Sequence, residues 1–129
     1  MHNYKELIVW QKSMQLAINV YKMLNLLPSY DKYILSSQLI RCANSIPSNI
    51  AEGAGKNSNK DFSRFLSISE GSSFELETQL ILIKETKPEI KVNIELLLKE
   101  LIIIQKMIYR LRTKINSCDS RYQIPDTRY

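Results

Sequence analysis

Few side chains in this 129-residue chain have the types and spacing that acid-base chemistry needs. Glu70, Glu75 and Glu77 lie close together in the sequence, near Glu52, and two carboxylates in a cleft could pass a proton to and from a substrate. Glu70 and Glu77 are seven residues apart, so on a helix they share one face. A solvated or interface role explains that placement more simply than catalysis does.

Nucleophilic and metal chemistry have weaker support. His2 is the single histidine and stands beside the first residue, which is a poor place for a fixed catalytic base. The two cysteines, Cys42 and Cys118, lack C-x-x-C spacing, and no Glu-x-x-His pair occurs. The run GAGKNS at 53–58 lacks the glycine spacing of a phosphate-binding loop. We therefore expect no metal, no cofactor and no enzymatic activity.

Basic side chains are the remaining candidates for binding. The chain has 18 Lys and Arg against 13 Asp and Glu, which gives a formal net charge of +5. Positive charge at helical spacing can contact nucleic-acid phosphates, although a solvated helix face is an open alternative. The candidate contacts lie near the second helix and its following turn, and along the last helix: Arg41, Lys56, Lys60, Arg64, Lys99, Lys106, Arg110, Arg112 and Lys114.

The elements that must position these residues are helices. Three glycines and four prolines among abundant Leu, Ile, Lys, Glu and Ser are typical of an all-α protein. We predict helices over about 5–26, from 31 to the glycines at 53 and 55, from 58 or 59 past 83, and over 91–116. The last helix has a heptad seam, namely Ile90, Ile94, Leu97, Leu101, Ile104, Ile108, Leu111 and Ile115.

Long helices joined by short loops predict an antiparallel up-down-up-down four-helix bundle over residues 1–117. Residues 118–129 are predicted to be a C-terminal tail. Disorder is the simpler expectation for that tail, and its interleaved Arg and Tyr would also suit stacking on unpaired bases. The chain has no apolar run of about 18 residues and no secretory signal pattern. It is therefore expected to be cytoplasmic, without membrane contact.

Pro47 lies inside the second predicted helix. It has no N–H for the Ala43 carbonyl, a loss that usually costs about 3 kcal/mol in a helix, and we predict a kink there. Polar residues on one helix face are expected to brace the kink and to reach Arg64 or Glu75 across the helix pair. These bracing residues are Arg41, Ser45, Asn49 and Glu52.

Two glycines complete this structural motif. Gly53 is expected to end the second helix. Gly71 lies in a stretch of small residues inside the third helix, where glycine costs about 1 kcal/mol relative to alanine. We therefore expect Gly71 to serve a close crossing of the second and third helices.

Apolar residues are more numerous than four helices need for packing against each other alone. In the first helix, one predicted buried stripe contains Met14 and Tyr21, and a second apolar set lies on another flank. The last helix also carries apolar side chains outside its heptad seam. We predict that these extra residues form an oligomer interface: Leu16, Val20, Met23, Leu96, Ile103 and Met107.

The run IRCANSIPSNIAEGAGKNSNKDFSRFLSISEG at 40–71 follows LIVWQKSMQLAINVY at 7–21 and precedes SSFELETQLILIK at 72–84. In this order it resembles the bacterial four-helix-bundle family encoded in large-subunit ribosomal RNA intervening sequences. Similar small bundles serve as accessory variability determinants in diversity-generating retroelements. The resemblance spans Tyr4 to Asn116 and is specific at Arg41, Ser45, Ile46, Pro47, Asn49, Ile50, Ala51, Glu52, Gly53, Phe65, Leu66, Glu75, Leu76 and Leu80.

The resemblance implies a homo-oligomer of five copies with a nucleic-acid role and no settled enzymatic activity. Together with the basic side chains, it predicts a non-enzymatic scaffold that binds structured RNA. One alternative is a protein-protein adaptor, such as an accessory subunit of a reverse transcriptase. A second alternative is a small enzyme that uses Glu70 or Glu75 in a pocket between subunits.

Overall fold

The computed structural model describes residues 2–117, and this part of the chain contains four long α-helices and no strand. They are α1 at Ile8–Leu24, α2 at Ser29–Ala54, α3 at Asn59–Thr86 and α4 at Lys91–Ser117. Single-turn 3₁₀ helices at Tyr4–Glu6 and Pro88–Ile90 precede α1 and α4. The all-α prediction is confirmed, and the predicted tail at 118–129 lies outside the described residues.

Each helix packs against two others. α1 and α3 both contact α2 and α4, with the most extensive pairing between α2 and α3, and no close backbone contact joins α1 to α3 or α2 to α4 within residues 2–117. This is the arrangement of a four-helix bundle around one central core. None of the helices in the described range is long and apolar enough to cross a membrane.

The predicted heptad seam is confirmed, because all eight of its residues are buried, with Ile90 in the preceding 3₁₀ helix and the other seven in α4. The predicted stripe of α1 is wrong in part, since Met14 and Tyr21 are exposed. The buried stripe instead runs through Val9, Leu16 and Val20, with steps of four and three that include a serine. That serine, Ser13, is fully buried and donates a 2.7 Å hydrogen bond to the Val9 carbonyl. The hydroxyl bonds within its own helix, so Ser13 can be buried. A hydropathy pattern nevertheless counts Ser13 as polar and does not recognise the stripe that contains it.

Four of the six predicted interface residues need correction. Leu16, Val20 and Met23 point into the protomer core, and so does Met107 of α4. Their side chains are already covered by neighbouring helices, so they offer no surface to a second copy. The other two candidates, Leu96 and Ile103, are exposed by 55% and 49%.

The helix ends follow local capping chemistry. Ser58 precedes α3, and its hydroxyl accepts a 3.1 Å hydrogen bond from the Asp61 backbone N–H, as an N-cap should. α2 starts at Ser29, two residues before the predicted start at residue 31, because Pro28 fixes the preceding backbone and the Lys32 N–H bonds to its carbonyl. The helix is continuous through Pro47, which is buried.

The close approach of α2 and α3 occurs at Gly53 and not at Gly71. A Cβ on Gly53 would lie 2.7 Å from the Phe65 Cβ and 3.0 Å from the Phe62 ring. A Cβ on Gly71 would meet no atom within 4 Å, and Gly71 is exposed. The packing role predicted for Gly71 is therefore wrong, and Gly53 lies within the last turn of α2 because only a residue without a side chain fits there.

Candidate nucleic-acid interface

The polar residues predicted around Pro47 form hydrogen bonds between α2 and α3. The Ser45 and Ser72 hydroxyls lie 2.7 Å apart, and the Asn49 amide donates to the Ser45 hydroxyl and carbonyl at 2.9 and 2.8 Å. The buried Ser69 hydroxyl donates to the Ile46 carbonyl at 2.9 Å. The Ser45–Ser72 and Ser69–Ile46 bonds fix α3 against the segment of α2 that contains the proline, and the Asn49 bonds hold Ser45 within α2.

Arg41 extends this polar group towards the middle of α3. Its guanidinium lies 3.0 Å from a Glu75 carboxylate oxygen, which also accepts a 2.7 Å hydrogen bond from the Cys42 thiol. The hydrogen bonds from Cys42 and Arg41 lower the pKa of Glu75, and the bond to Glu75 raises the pKa of Arg41. Burial, followed by the bond to Glu75, raises the pKa of Cys42 to about 11. The Arg41–Glu75 pair is exposed, so water screens the attraction and the pair contributes little to stability.

Two expected partners lie outside this polar group. The Glu52 side chain is exposed and makes no hydrogen bond or ion pair within residues 2–117. Arg64 instead lies over the Phe65 ring, 4.5 Å from its centroid, with Lys56 at 5.2 Å from the same centroid. Cation–π contact orients both cations beside the α2–α3 turn.

The helix 3 carboxylates with candidate catalytic roles also have structural partners. The Glu70 carboxylate lies 2.8 Å from the Arg112 guanidinium, with only 13% and 25% of the two side chains exposed. The Glu77 carboxylate accepts a 3.2 Å hydrogen bond from the Gln105 amide. Across residues 2–117, no group of three or more His, Cys, Asp or Glu is placed to hold a metal ion. These contacts tie α3 to α4 along one polar line.

The contacts also show which chain segments share an end of the bundle. The His2 N–H bonds to the Ala54 carbonyl at 2.7 Å, which places the start of the described chain beside the α2–α3 turn. The Glu70–Arg112 pair places the second half of α4 at the same end. We call this half, made of residues 2–15, 42–72 and 104–117, the basic end.

The basic end carries the net charge of the protein. It contains nine Lys and Arg against four Asp and Glu, whereas residues 16–41 and 73–103 contain seven of each. The tail sequence is also balanced, with two of each. The net charge of +5 is therefore located at one end of the bundle, where a polyanion would be attracted.

The structure sorts the predicted basic residues into three groups. Exposed side chains of the basic end are Lys60, Arg64, Lys106 and Arg110, with Lys56 and Lys114 partly exposed. Arg112 belongs to the same end but is paired with Glu70 and mostly buried. Arg41 and Lys99 lie in the balanced half.

Sequence reasoning missed two members of the basic end, Lys5 and Lys12, which are exposed near the start of the described chain. Their distance in sequence from the other cations concealed them. The predicted up-down-up-down order could have identified both lysines, because it brings the first turns of α1 to the same end of the bundle as the α2–α3 turn.

Two comparisons with known proteins bear on the family of this chain. A search of curated proteins returned no match. The sequence profile of a family described as 23S rRNA-intervening sequence protein matches residues 5–110. The match covers α1 to α3 and most of α4, including the α2–α3 polar group and the turn of the basic end. This chain therefore belongs to the family of 23S rRNA-intervening sequence proteins.

Proposed function

We propose that this protein is a non-enzymatic scaffold that acts in the cytoplasm as a homo-oligomer, with five copies as the expected number, and binds structured RNA. The observation that carries the RNA proposal is the location of the whole net charge at one end of the bundle. No group of three or more His, Cys, Asp or Glu in the described range is placed to hold a metal ion, and the Glu70 and Glu77 carboxylates of the polar line both have structural partners. Binding therefore fits the geometry better than catalysis does.

We further infer that neighbouring helices run antiparallel, up-down-up-down. Cross-helix contacts support this topology: Gly53 approaches Phe65 while Arg41 reaches Glu75, so residue numbers rise along α2 as they fall along α3. The polar line between α3 and α4 has the same sense. A kink at Pro47 belongs to this proposal and follows from its missing N–H.

Phosphate contact at the basic end needs only accessible cations on a rigid support. Lys60 and Arg64 lie on the first turns of α3, and Lys106 and Arg110 lie one turn apart on the outer face of α4. Cations on fixed helices hold a constant separation, so an RNA whose backbone has a matching shape binds best. Specificity then comes from RNA shape, and affinity comes from counterion release.

The proposal is tested by fluorescence anisotropy with a labelled RNA hairpin at increasing KCl. If Lys60, Arg64, Lys106 and Arg110 each contact a phosphate, affinity falls about 100-fold between about 50 and about 200 mM salt. Affinity that is constant across this range would refute the phosphate mechanism. The adaptor alternative predicts that outcome, together with retention of a protein partner after nuclease treatment.

A matched pair of double variants locates the binding surface. Lys60→Gln with Arg110→Gln removes two cations from the basic end, and Lys91→Gln with Lys99→Gln removes two from the balanced half. We expect the first pair to reduce the slope of log affinity against log salt by about 2 and the second pair to leave it unchanged. Equal losses from both pairs would contradict a basic-end site.

A further inference from the structure

One apolar surface lies between α1 and α2. It is a groove of about 550 Å³ whose apolar wall includes Met14, Ile18 and Tyr21 of α1. Asn44, Pro47 and Ser48 of α2 form the opposite wall, and their small size leaves the groove open. The Tyr21 hydroxyl and the Asn44 amide bond across it at 2.9 Å. We call this surface the α1–α2 groove.

A second apolar surface lies between α3 and α4. Phe74 and Ile81 of α3 are 50% and 41% exposed, and Ile102 and Tyr109 of α4 are 41% and 58% exposed. All four flank the polar line formed by Glu77–Gln105 and Glu70–Arg112, because each lies three or four residues from one of those partners. We call these four residues the α3–α4 strip.

We infer that the α3–α4 strip of one copy of this protein packs into the α1–α2 groove of a second copy. The inference rests on the homo-oligomer of the proposed function and names its contact surfaces. The groove and the strip lie on opposite flanks, because α1 pairs with α2 on one side of the bundle and α3 pairs with α4 on the other. A copy that fills its neighbour's groove therefore still presents an empty groove of its own.

The two surfaces match in spacing. In the groove, Met14 and Tyr21 are seven residues apart. The strip has the same spacing in both of its helices, between Phe74 and Ile81 and between Ile102 and Tyr109. Seven residues rise about 10.5 Å along a helix, so the bulky side chains of the strip repeat at the interval of the groove wall. The groove is open to solvent, and the exposed aromatic rings of Phe74 and Tyr109 in the strip are apolar side chains that can enter it.

The two surfaces also match in charge. The groove lining includes Lys22 and no acidic residue, and the Lys32 ammonium donates to Asn25 of the lining at 2.8 Å. Both lysines lie at the end of the groove away from the basic end. At the corresponding end of the strip, exposed Glu85 lies four residues after Ile81. Exposed Glu95 lies seven residues before Ile102, and its carboxylate is 4.0 Å from the Lys91 ammonium, a distance that leaves it accessible to a second cation. Two parallel copies therefore bring lysines to carboxylates, which favours that alignment.

Parallel, head-to-tail contact has a functional consequence. Each copy uses two different surfaces, so the contact is repeated from copy to copy and closes into a ring when the rotation allows it. Parallel alignment places all the basic ends on one face of that ring. Several weak phosphate sites then act together on one RNA, and the combined affinity exceeds that of a single copy.

Two charge-insertion variants test this contact. Ile18→Glu alters only the groove and Phe74→Glu alters only the strip, while Val92→Glu changes a 70% exposed side chain outside both surfaces. Light scattering after gel filtration measures the mass, and circular dichroism checks that each variant is folded. We expect the wild type and Val92→Glu to have the same multiple of the 15.0 kDa protomer mass. We expect Ile18→Glu and Phe74→Glu each to be monomeric.

Mixing the two monomeric variants gives the decisive result. The intact strip of Ile18→Glu fits the intact groove of Phe74→Glu, so the mixture should give a complex of twice the protomer mass and nothing larger. A symmetric contact of like surfaces predicts instead that one variant alone remains a dimer. A monomeric wild type, an undiminished mass for either variant, or a mixture that stays monomeric would each overturn the inference.

The same variants separate this inference from the RNA proposal. Ile18→Glu keeps every basic side chain, so it should still bind RNA with salt dependence but with an affinity reduced by the loss of multivalency. Dissociation without any RNA binding in the wild type would refute the RNA proposal and leave the contact surfaces standing. Salt-dependent binding with unchanged mass in both variants would do the reverse.

Discussion

Alanine at the two helical glycines should change stability in opposite directions. Gly53 and Gly71 both lie inside α-helices and neither has a positive φ, so alanine removes the same backbone entropy penalty at both positions, worth about 1 kcal/mol. The surroundings differ. Gly71→Ala adds a methyl group to open space, and we expect it to stabilise the fold by about 0.5–1 kcal/mol.

Gly53→Ala adds its methyl group where α2 and α3 nearly touch. The new Cβ would lie 2.7 Å from the Phe65 Cβ, an atom attached directly to the α3 backbone, and 3.3 Å from the Phe62 carbonyl oxygen. Rotation of a side chain cannot relieve either contact, so the two helices must separate. Overpacking of this kind costs about 1–3 kcal/mol, and a Cβ–Cβ distance this short belongs to the upper part of that range. After a helical gain of about 1 kcal/mol, we expect a net loss of about 1–2 kcal/mol.

Urea unfolding followed by circular dichroism at one fixed protein concentration measures both effects, because self-association would otherwise alter apparent stability. The two variants should have midpoints on opposite sides of the wild type with unchanged slopes. A Gly53→Ala protein as stable as wild type would refute the close approach of the helices. A destabilised Gly71→Ala protein would show that this position is packed.

Three further predictions concern buried polar groups. The pKa of the Cys42 thiol is raised from 9.0 to about 11 in the folded protein. The unfolded thiol therefore ionises first, and the free energy of unfolding should fall by up to about 2–3 kcal/mol as pH rises across that interval. Unfolding curves of Cys42→Ser at the same pH values should lack this fall. Arg112→Met leaves the mostly buried Glu70 carboxylate without its cation and should cost about 2–4 kcal/mol in urea unfolding, more than Glu70→Gln. Ser69→Ala removes the buried bond to the Ile46 carbonyl and should cost about 1 kcal/mol in the same assay, whereas no change would show that the bond is not stabilising.

Hydropathy spacing predicted the core well wherever apolar residues occupy every inward position. The α4 seam meets this condition without exception, and all its residues are buried. α1 does not, since Ser13 occupies an inward position and its hydroxyl bonds to its own helix. The competing stripe through Met14 and Tyr21 has the same period, so periodicity alone cannot choose between them. The identity of the neighbouring helices decides which stripe is buried.

The candidate site was less predictable because its members come together only through topology. Lys60 and Arg64 follow the α2–α3 turn directly in the sequence, whereas Lys5 and Lys12 lie about 50 residues earlier and reach the same end of the bundle through the fold. A count of charges along consecutive stretches of sequence cannot separate the two ends of the bundle, because each helix runs from one end to the other. The pairing of Arg112 with Glu70 was also invisible in sequence, since it depends on the register of α3 against α4.

That register is specified by two polar contacts with one spacing. Glu70 and Glu77 are seven residues apart in α3, and their partners Arg112 and Gln105 are seven apart in α4. An apolar seam with a heptad repeat would tolerate a slip of seven residues, because similar side chains would meet again. A slip in one direction would place Glu77 opposite Leu98. A slip in the other direction would move Arg112 away from Glu70. In either case a mostly buried carboxylate would lose its partner. The polar line therefore selects the one register in which the cations of α4 join those of the α2–α3 turn, so that correct core packing and the basic end depend on the same pairs.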